Sequence, residues 1–433
     1  MNTIRFTSVG LRASFFVALF FSTTQLLNHS TLFAQGGITP TGPPGPTMKA
    51  LDQIEPRTAI ESLPFNITQS GSYYFTKNLN FTAASGDAIT ISASNVTLDL
   101  MGFTLSSSNA VTGDAIRMNA GLRNIAVRNG VIAGNTTVTI SGSAPNQTWT
   151  VAAAGFNNGI NALASPEASS CHFSQLRISG CRSVGLDGGG QAVVEQVTAT
   201  QNGNIGIVAM SGSVTNSTAS SNGDAGIVAM SGSVTGCTAS NNGGAGIFAT
   251  SGSVTGCTAS NNASTGIFGS SVANSRSANN GSDGIAASSG SVTNCTAGAN
   301  GSSGIVGENI THCVAVFNTS HGIFVSGTAK DNECRNNGNG GSGAGIYFAS
   351  DGVRIEGNNC YNNDWGIQSA AGVSSFIVRN SCRGNTAPAT NAAPATPNYD
   401  FDRASNTYGP VLTVNGDMSA NAATSHPGAN IQY

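Results

Sequence analysis

Along most of this chain apolar and polar residues alternate in short runs, and Gly, Asn or Ser cuts each run, which is the chemistry of strands and turns. The pattern also repeats. Residues 207–226 read IVAMSGSVTNSTASSNGDAG, 227–246 read IVAMSGSVTGCTASNNGGAG and 247–266 read IFATSGSVTGCTASNNASTG. A Gly-Ile or Gly-Leu pair recurs at Gly159, Gly185, Gly206, Gly226, Gly246, Gly266, Gly284, Gly304, Gly322, Gly345 and Gly366, with spacings of 18 to 26 residues that cluster at 20. A leucine-rich repeat of this period would need a leucine scaffold, and these units contain almost no leucine. In the unit 247–266, Ile247 and Ala249 should point inward and Phe248 and Thr250 outward; Val254, then Cys257 and Ala259 beyond a bend at Gly256, point inward again. Each unit therefore predicts one coil of three short parallel strands, with coils stacked about 4.8 Å apart.

Stacking turns the repeat into columns of like residues. Asn202, Asn222, Asn242, Asn262, Asn280, Asn300 and Asn318 each stand four residues before the next Gly. The expectation there is Asn in a left-handed backbone, with side-chain amides bonded up the column. A second column, about eleven residues after each Gly, reads Ser217, Cys237, Cys257, Ser275, Cys295, Cys313, Cys334, Cys360 and Cys382. Thiols in such a column behave as small buried hydrophobes. Bridges between Cys237 and Cys257 or Cys295 and Cys313 are the alternative, although in-register strands hold Cβ atoms farther apart than the preferred distance of about 3.8 Å. His312 should point away from Cys313, so no metal site is expected.

The repeat has distinct ends. Arg5 and Arg12 flank the apolar run Ala13 to Phe21, and Ala34 precedes Gly36 and Gly37. The arrangement reads as a signal peptide over 1–34, the apolar run being too short to span a membrane. A Pro/Gly linker and N-terminal cap follow over 35–65, then a solenoid over 66–385, then a linker and C-terminal cap or tail over 386–433. The mature protein is expected to be secreted, periplasmic or on the cell surface, with no membrane span after cleavage.

Composition fits a solenoid. Only 9% of the 433 residues are charged and 56 are glycine, against averages of about 25% and about 7%. A net charge of −3 gives no electrostatic case for nucleic acid.

The coil Gly-Ile…Val-Thr-Asn-Cys-Thr-Ala-Ser…Asn-Gly and the entry segment resemble the right-handed parallel β-helix (pectin lyase-like) superfamily over about 60–385. The entry reads Gly71-Ser-Tyr-Tyr-Phe, Ala88-Ile-Thr-Ile, Asn95-Val-Thr-Leu-Asp-Leu and Gly102-Phe-Thr-Leu. The flanks Met48 to Thr58 and Tyr408-Gly-Pro…His426-Pro-Gly-Ala-Asn look like an uncharacterised set of exported bacterial β-helix proteins. The resemblance implies an all-β, right-handed, single-stranded parallel β-helix. It settles no activity, because the superfamily holds lyases, hydrolases, epimerases and tailspikes.

Lyases of this fold typically use carboxylate-bound calcium and a basic residue, and hydrolases use short aspartate motifs. The hydrolase motifs are missing here; Ser320-His321-Gly322 is the nearest fragment. Between residues 186 and 326 the charged residues are Asp187, Glu195, Asp224, Arg276, Asp283 and Glu308. Charge is denser near the ends. Arg117, Arg123 and Arg128 lie near Asp87, Asp99 and Asp114, either as solvated faces or as a weak uronate-binding patch. Lys330, Asp331, Glu333, Arg335 and Arg354, with His321, are the catalytic candidates, and Lys330, Glu356 and Arg379 should stack as plus, minus, plus. No cofactor is expected, calcium entering only with a lyase.

A different surface follows each Gly-Ile pair: Val208, Val228, Phe248, Phe268, Ala286, Val306, Phe324 and Tyr347 form an outward apolar stripe. Phe248, Phe268, Phe324 and Tyr347 are candidates for stacking on sugar faces. Alternatively the segment Asn398 to Tyr433, or a second subunit, covers the stripe. Three functions follow: non-catalytic binding of a polysaccharide or cell-surface glycan, a polysaccharide lyase or related uronan-acting enzyme with its site at a charged end, or a structural, oligomer-forming surface protein that self-associates through the stripe.

Overall fold

The computed structural model describes residues 56–110, 112–162, 169–287, 289–338, 340–388, 390, 396–402, 404–414 and 426–433. The chain divides into two units, Met1–Ile54 and Glu55–Tyr433. The first, with the expected signal peptide and most of the linker, lies outside the described residues.

No helix occurs among the described residues. A typical coil has strands at Ile227–Val228, Val234–Thr235 and Thr238–Ser240. Each strand pairs in parallel with its counterpart one coil away, giving three ladders. The first aligns Ile207, Ile227, Ile247, Ile267, Ile285, Ile305 and Ile323. The second aligns Val214, Val234, Val254, Val272, Val292 and Ile310. The third aligns Ala199, Ala219, Ala239, Ala259, Ser277, Ala297 and Ala315. All these side chains are buried, so the core is a narrow column that runs the length of the stack.

The Asn column is a continuous buried ladder. The Asn202 amide N–H donates to Asn222 Oδ1 at 3.0 Å, and the same bond repeats from Asn222 to Asn242, Asn242 to Asn262 and onward to Asn385. Each Oδ1 also accepts the backbone N–H of the Asn one coil earlier, as from Asn222 to Asn242 at 3.2 Å. The left-handed residue is not the ladder Asn but the one before it: Gln201, Ser221, Asn241, Asn261, Asn279 and Ala299 have φ near +55°. That geometry aims both the N–H and the side chain of the next residue into the core.

The expected cysteine column divides in two. Cys237, Cys257, Cys295 and Cys313 share a turn position with Ser217 and Ser275, whereas Cys334 aligns with Ala315, and Cys360 and Cys382 continue that third-ladder column. The first group does more than fill space. Backbone N–H groups there point inward and need an acceptor one coil on, which is Cys237 Sγ for Ser217 (3.5 Å), Cys257 Sγ for Cys237 (3.4 Å) and Ser275 Oγ for Cys257 (3.1 Å). Beyond Cys313 the role passes to a second Asn ladder of Asn332, Asn358, Asn380 and Asn430. All nine cysteines are free and buried. Burial holds the Cys181, Cys360 and Cys382 thiols well above their usual range.

The stack extends past both ends of 66–385. Thr58–Ile60 pairs with the strand Gly71–Phe75. Tyr399–Asp400, Thr407–Tyr408 and Asn430–Gln432 add to the first, second and third ladders. An antiparallel hairpin, Thr137–Ser141 with Thr148–Ala152, departs from the repeat. Val138 N–H donates to Gln201 Oε1 at 2.7 Å and Trp149 Nε1 to the Asn241 carbonyl at 2.9 Å, so the hairpin runs along the solenoid over the turns that enter the first ladder.

Two outcomes follow. Asn242→Leu strands the Asn222 amide and backbone N–H in the core, and each orphaned group costs about 1–3 kcal/mol; urea denaturation should show a loss of about 2–5 kcal/mol, and an unchanged midpoint would refute the ladder's role. Thiol titration of the native protein should detect almost none of the nine cysteines, and all nine after denaturation.

Candidate functional site

The first ladder sets an outward side chain two residues after each Gly. Strand pairing places Val208, Val228, Phe248, Phe268, Ala286, Val306, Phe324 and Tyr347 in one register column, continued by Gln368 and Asp400. Phe248 and Phe268 stack with ring centroids 5.0 Å apart. The described part of 398–433 extends this column at Asp400 and continues the stack beyond Gln368.

The column is richest near its C-terminal end. His321 stacks on Tyr347 with centroids 4.5 Å apart and planes 7° from parallel, and Phe324 tilts against Tyr347 at 5.4 Å. The Ala344 N–H donates to His321 Nδ1 at 3.0 Å, which leaves the imidazole proton on Nε2. Burial pushes the His321 pKa down to about 4, so the ring is neutral near pH 7. Two open grooves flank the rings. One, of about 370 Å³, is lined by Ser289, Val306, Glu308, Phe324 and Ser326. The other, of about 490 Å³, is lined by His321, Ser342, Tyr347, Trp365, Gln368 and Thr390.

The other catalytic candidates stand elsewhere on the coil, and several are held by charged neighbours. Lys330 and Arg354 belong to the second ladder, Glu333 and Arg335 to the third, and Asp331 to the turn between. Glu356 takes Arg354 at 2.6 Å and Arg379 at 3.3 Å. The Arg354 hydrogen bond holds its carboxyl below the usual carboxylate range. Lys330 aligns with Glu356, but Val378 occupies the next register position, and Arg379 reaches Glu356 from the following turn. Glu333 accepts from Arg335 at 3.1 Å and from Tyr361 Oη at 2.8 Å. Asp331 faces His312 at 3.7 Å. Glu333, Arg335 and Arg354 therefore sit in ion pairs on two ladders, and His321 is apart from them.

The N-terminal arginines do not form a patch either. Arg117 lies on the first ladder, 3.9 Å from Asp87, whereas Arg128 lies on the second, 3.1 Å from Asp99. Among the described residues no group of three or more His, Cys, Asp and Glu is placed to hold a metal ion.

Residues 145–271 match the family model for the right handed beta helix region. The solenoid is a right-handed parallel β-helix. Solved structures similar to this β-helix include the Azotobacter vinelandii mannuronan C-5 epimerase AlgE6 A-module, at 15% identity over 84% of this chain and 89% of that one with a TM-score of 0.42. The AlgE4 A-module of the same organism shows 16% identity over 75% of this chain and 90% of that one, with a TM-score of 0.44. A tailspike protein mutant of E. coli bacteriophage HK620, in complex with a pentasaccharide, shows 14% identity over 88% of this chain and 72% of that one, with a TM-score of 0.34. Likeness this distant carries no argument about what this chain acts on. Among curated proteins nothing matches the sequence. No helix of the described residues is long and apolar enough to cross a membrane.

Trp365 and Gln368 escaped the sequence reading, and Glu308 was read only as a scattered charge. A signal was present for two of them. Trp365 and His321 both occupy the position immediately before the Gly of a coil, and Gln368 follows Tyr347 in the outward column.

The buried neutral imidazole predicts a pH effect. An unfolded His titrates near 6.5 and folded His321 near 4. The unfolded chain therefore binds the extra proton between these values, and stability is fully present above 6.5 and is lost as pH falls toward 4. His321→Asn, which keeps an acceptor near the Ala344 N–H, should flatten this part of the stability–pH curve by up to about 3 kcal/mol. Parallel curves for the two proteins would contradict the assignment.

Proposed function

We propose that this protein is an exported β-helix that binds a polysaccharide along its first ladder without transforming it. The observation that carries the reading is the His321–Tyr347 stack with Phe324 tilted beside it, half-exposed at the margin of an open groove. Sugar rings present flat C–H faces edged by hydroxyls. Aromatic faces bind the former, and side chains such as Ser342, Gln368 and Thr390 bind the latter. The groove is shallow and follows the solenoid axis, which suits a polymer better than a small molecule. Export rests on the basic, apolar and small-residue order of residues 1–34.

The non-catalytic part of the reading rests on how the candidate acids and bases are spent. General acid–base work needs groups within reach of one reacting atom. Here Glu333, Glu356, Arg335 and Arg354 are held in pairs on ladders other than the one with the rings.

Tyr347→Ala should weaken retention on a bound polysaccharide at least tenfold, about 1.4 kcal/mol, with the thermal midpoint little changed. Prolonged incubation should leave the polymer without new reducing ends, unsaturated ends or altered sugar composition. Wild-type retention by the variant would sink the assignment of the site, and any such product would make the protein an enzyme.

A further inference from the structure

We infer that the saccharide taken by this groove is uncharged: a neutral polysaccharide rather than a uronate or other polyanion. The inference rests on the glycan-binding reading above and adds the charge of the ligand.

Among the described residues from Ile207 onward, the charged side chains on the first ladder and in the turns that lead into it are carboxylates. From residue 186 to 326 the sequence holds a single cation, Arg276. Arg276 stands on the third ladder, in register with Thr258 and Thr296, and not on the ladder with the rings. The carboxylates of that stretch are placed differently. Asp187 stands in the outward column itself, one coil before Val208. Glu308 lines the groove beside Phe324. Asp224 and Asp283 lie in the turns that lead into Gly226 and Gly284 of the first ladder. Past Tyr347 the column ends in Asp400, whose Oδ2 accepts from Gln368 and Thr390. Asp364 sits in the adjoining turn, capped by the N–H groups of Gly341, Ser342 and Gly343.

Beyond the rings the cations stand on or beside the other ladders: Lys330 is in register with Glu356 on the second, and Arg383 lies over the Tyr361 ring on the third. On this column Arg117 precedes Asp187 by two coils and faces Asp87. Arg335, Arg354 and Arg379 pair with Glu333 and Glu356 on the other two ladders. His321 offers no charge above about pH 4 and presents one Nε2–H donor.

A polyuronate laid along these coils would bring carboxylates within a screening length, about 8–10 Å, of the exposed Glu308. Its own charges would lose water without gaining a cationic partner. A neutral polymer meets neither penalty. Its hydroxyls find Ser289, Ser326 and Ser342, all uncharged donors and acceptors.

Affinity electrophoresis of the full chain through gels cast with neutral polymers (mixed-linkage β-glucan, galactomannan, arabinoxylan) and with polygalacturonate or alginate tests this. The expected result is retardation by at least one neutral polymer, abolished by Tyr347→Ala and insensitive to salt up to about 0.15 M, with no retardation by either uronate. Glu308→Lys, a change at an exposed position, should bring at least a tenfold gain in uronate affinity at low ionic strength that salt removes. Uronate retardation of the wild type that Tyr347→Ala abolishes would overturn this inference and leave the glycan-binding reading standing. Folded Glu308→Lys protein that gains no uronate affinity would also overturn it. Retardation in none of the gels would bring down the glycan-binding reading, and this inference with it.

Discussion

The structure depends on the hydrogen bond between buried asparagines of successive coils. A coil of about 20 residues must turn back on itself three times, and a left-handed residue makes each of the two sharpest turns. The next residue then buries its backbone N–H, which cannot be left without a partner. Asn Oδ1 from the adjoining coil accepts it, while the Asn amide donates onward. The same amide excludes a side chain at the following Gly: a Cβ on Gly206 would lie 2.7 Å from Asn222 Nδ2 and 2.7 Å from the Gly226 carbonyl. The Asn and Gly columns are thus one device, and the Gly-Ile spacing is its imprint on the sequence.

That device explains which cysteines are which. At the other sharp turn the inward N–H can donate to any small acceptor, so Ser217, Cys237, Ser275 and Asn332 are interchangeable there. Cys334, Cys360 and Cys382 stand instead where Ala239 and Ala259 stand, and there only volume matters.

Periodicity in the sequence revealed the repeat, the ladder count and the outward column, because each is a property of identical neighbours. It could not reveal register where the repeat length changes. Cys295 and Cys334 stand eleven and twelve residues after their Gly, yet coil lengths change between them, and pairing shifts Cys334 two places along. The hairpin at 137–152 was equally opaque, since its contacts with Gln201 and Asn241 join segments that share no pattern. His321 read as a lone catalytic candidate for the same reason: its partner Tyr347 belongs to the next coil, which is longer than its neighbours by the insertion before Ala344.

Parallel stacking also constrains what a site can be. Any charge placed at a repeat position recurs about 4.8 Å away unless the next coil changes it, so like charges in a column repel. The chain meets this constraint in two ways. At its C-terminal end it sets opposite charges side by side, Arg354 with Glu356 within one coil and Arg379 reaching Glu356 from the next turn. Along the first ladder it omits charge almost entirely, which leaves room for rings in register, Phe248 on Phe268 and Tyr347 against Phe324. Aromatic stacking, unlike charge, is reinforced when a neighbour repeats it. A repeat that cannot carry a ladder of like charges can carry a ladder of rings, and for that reason the outward column of the first ladder is mostly apolar rather than ionic.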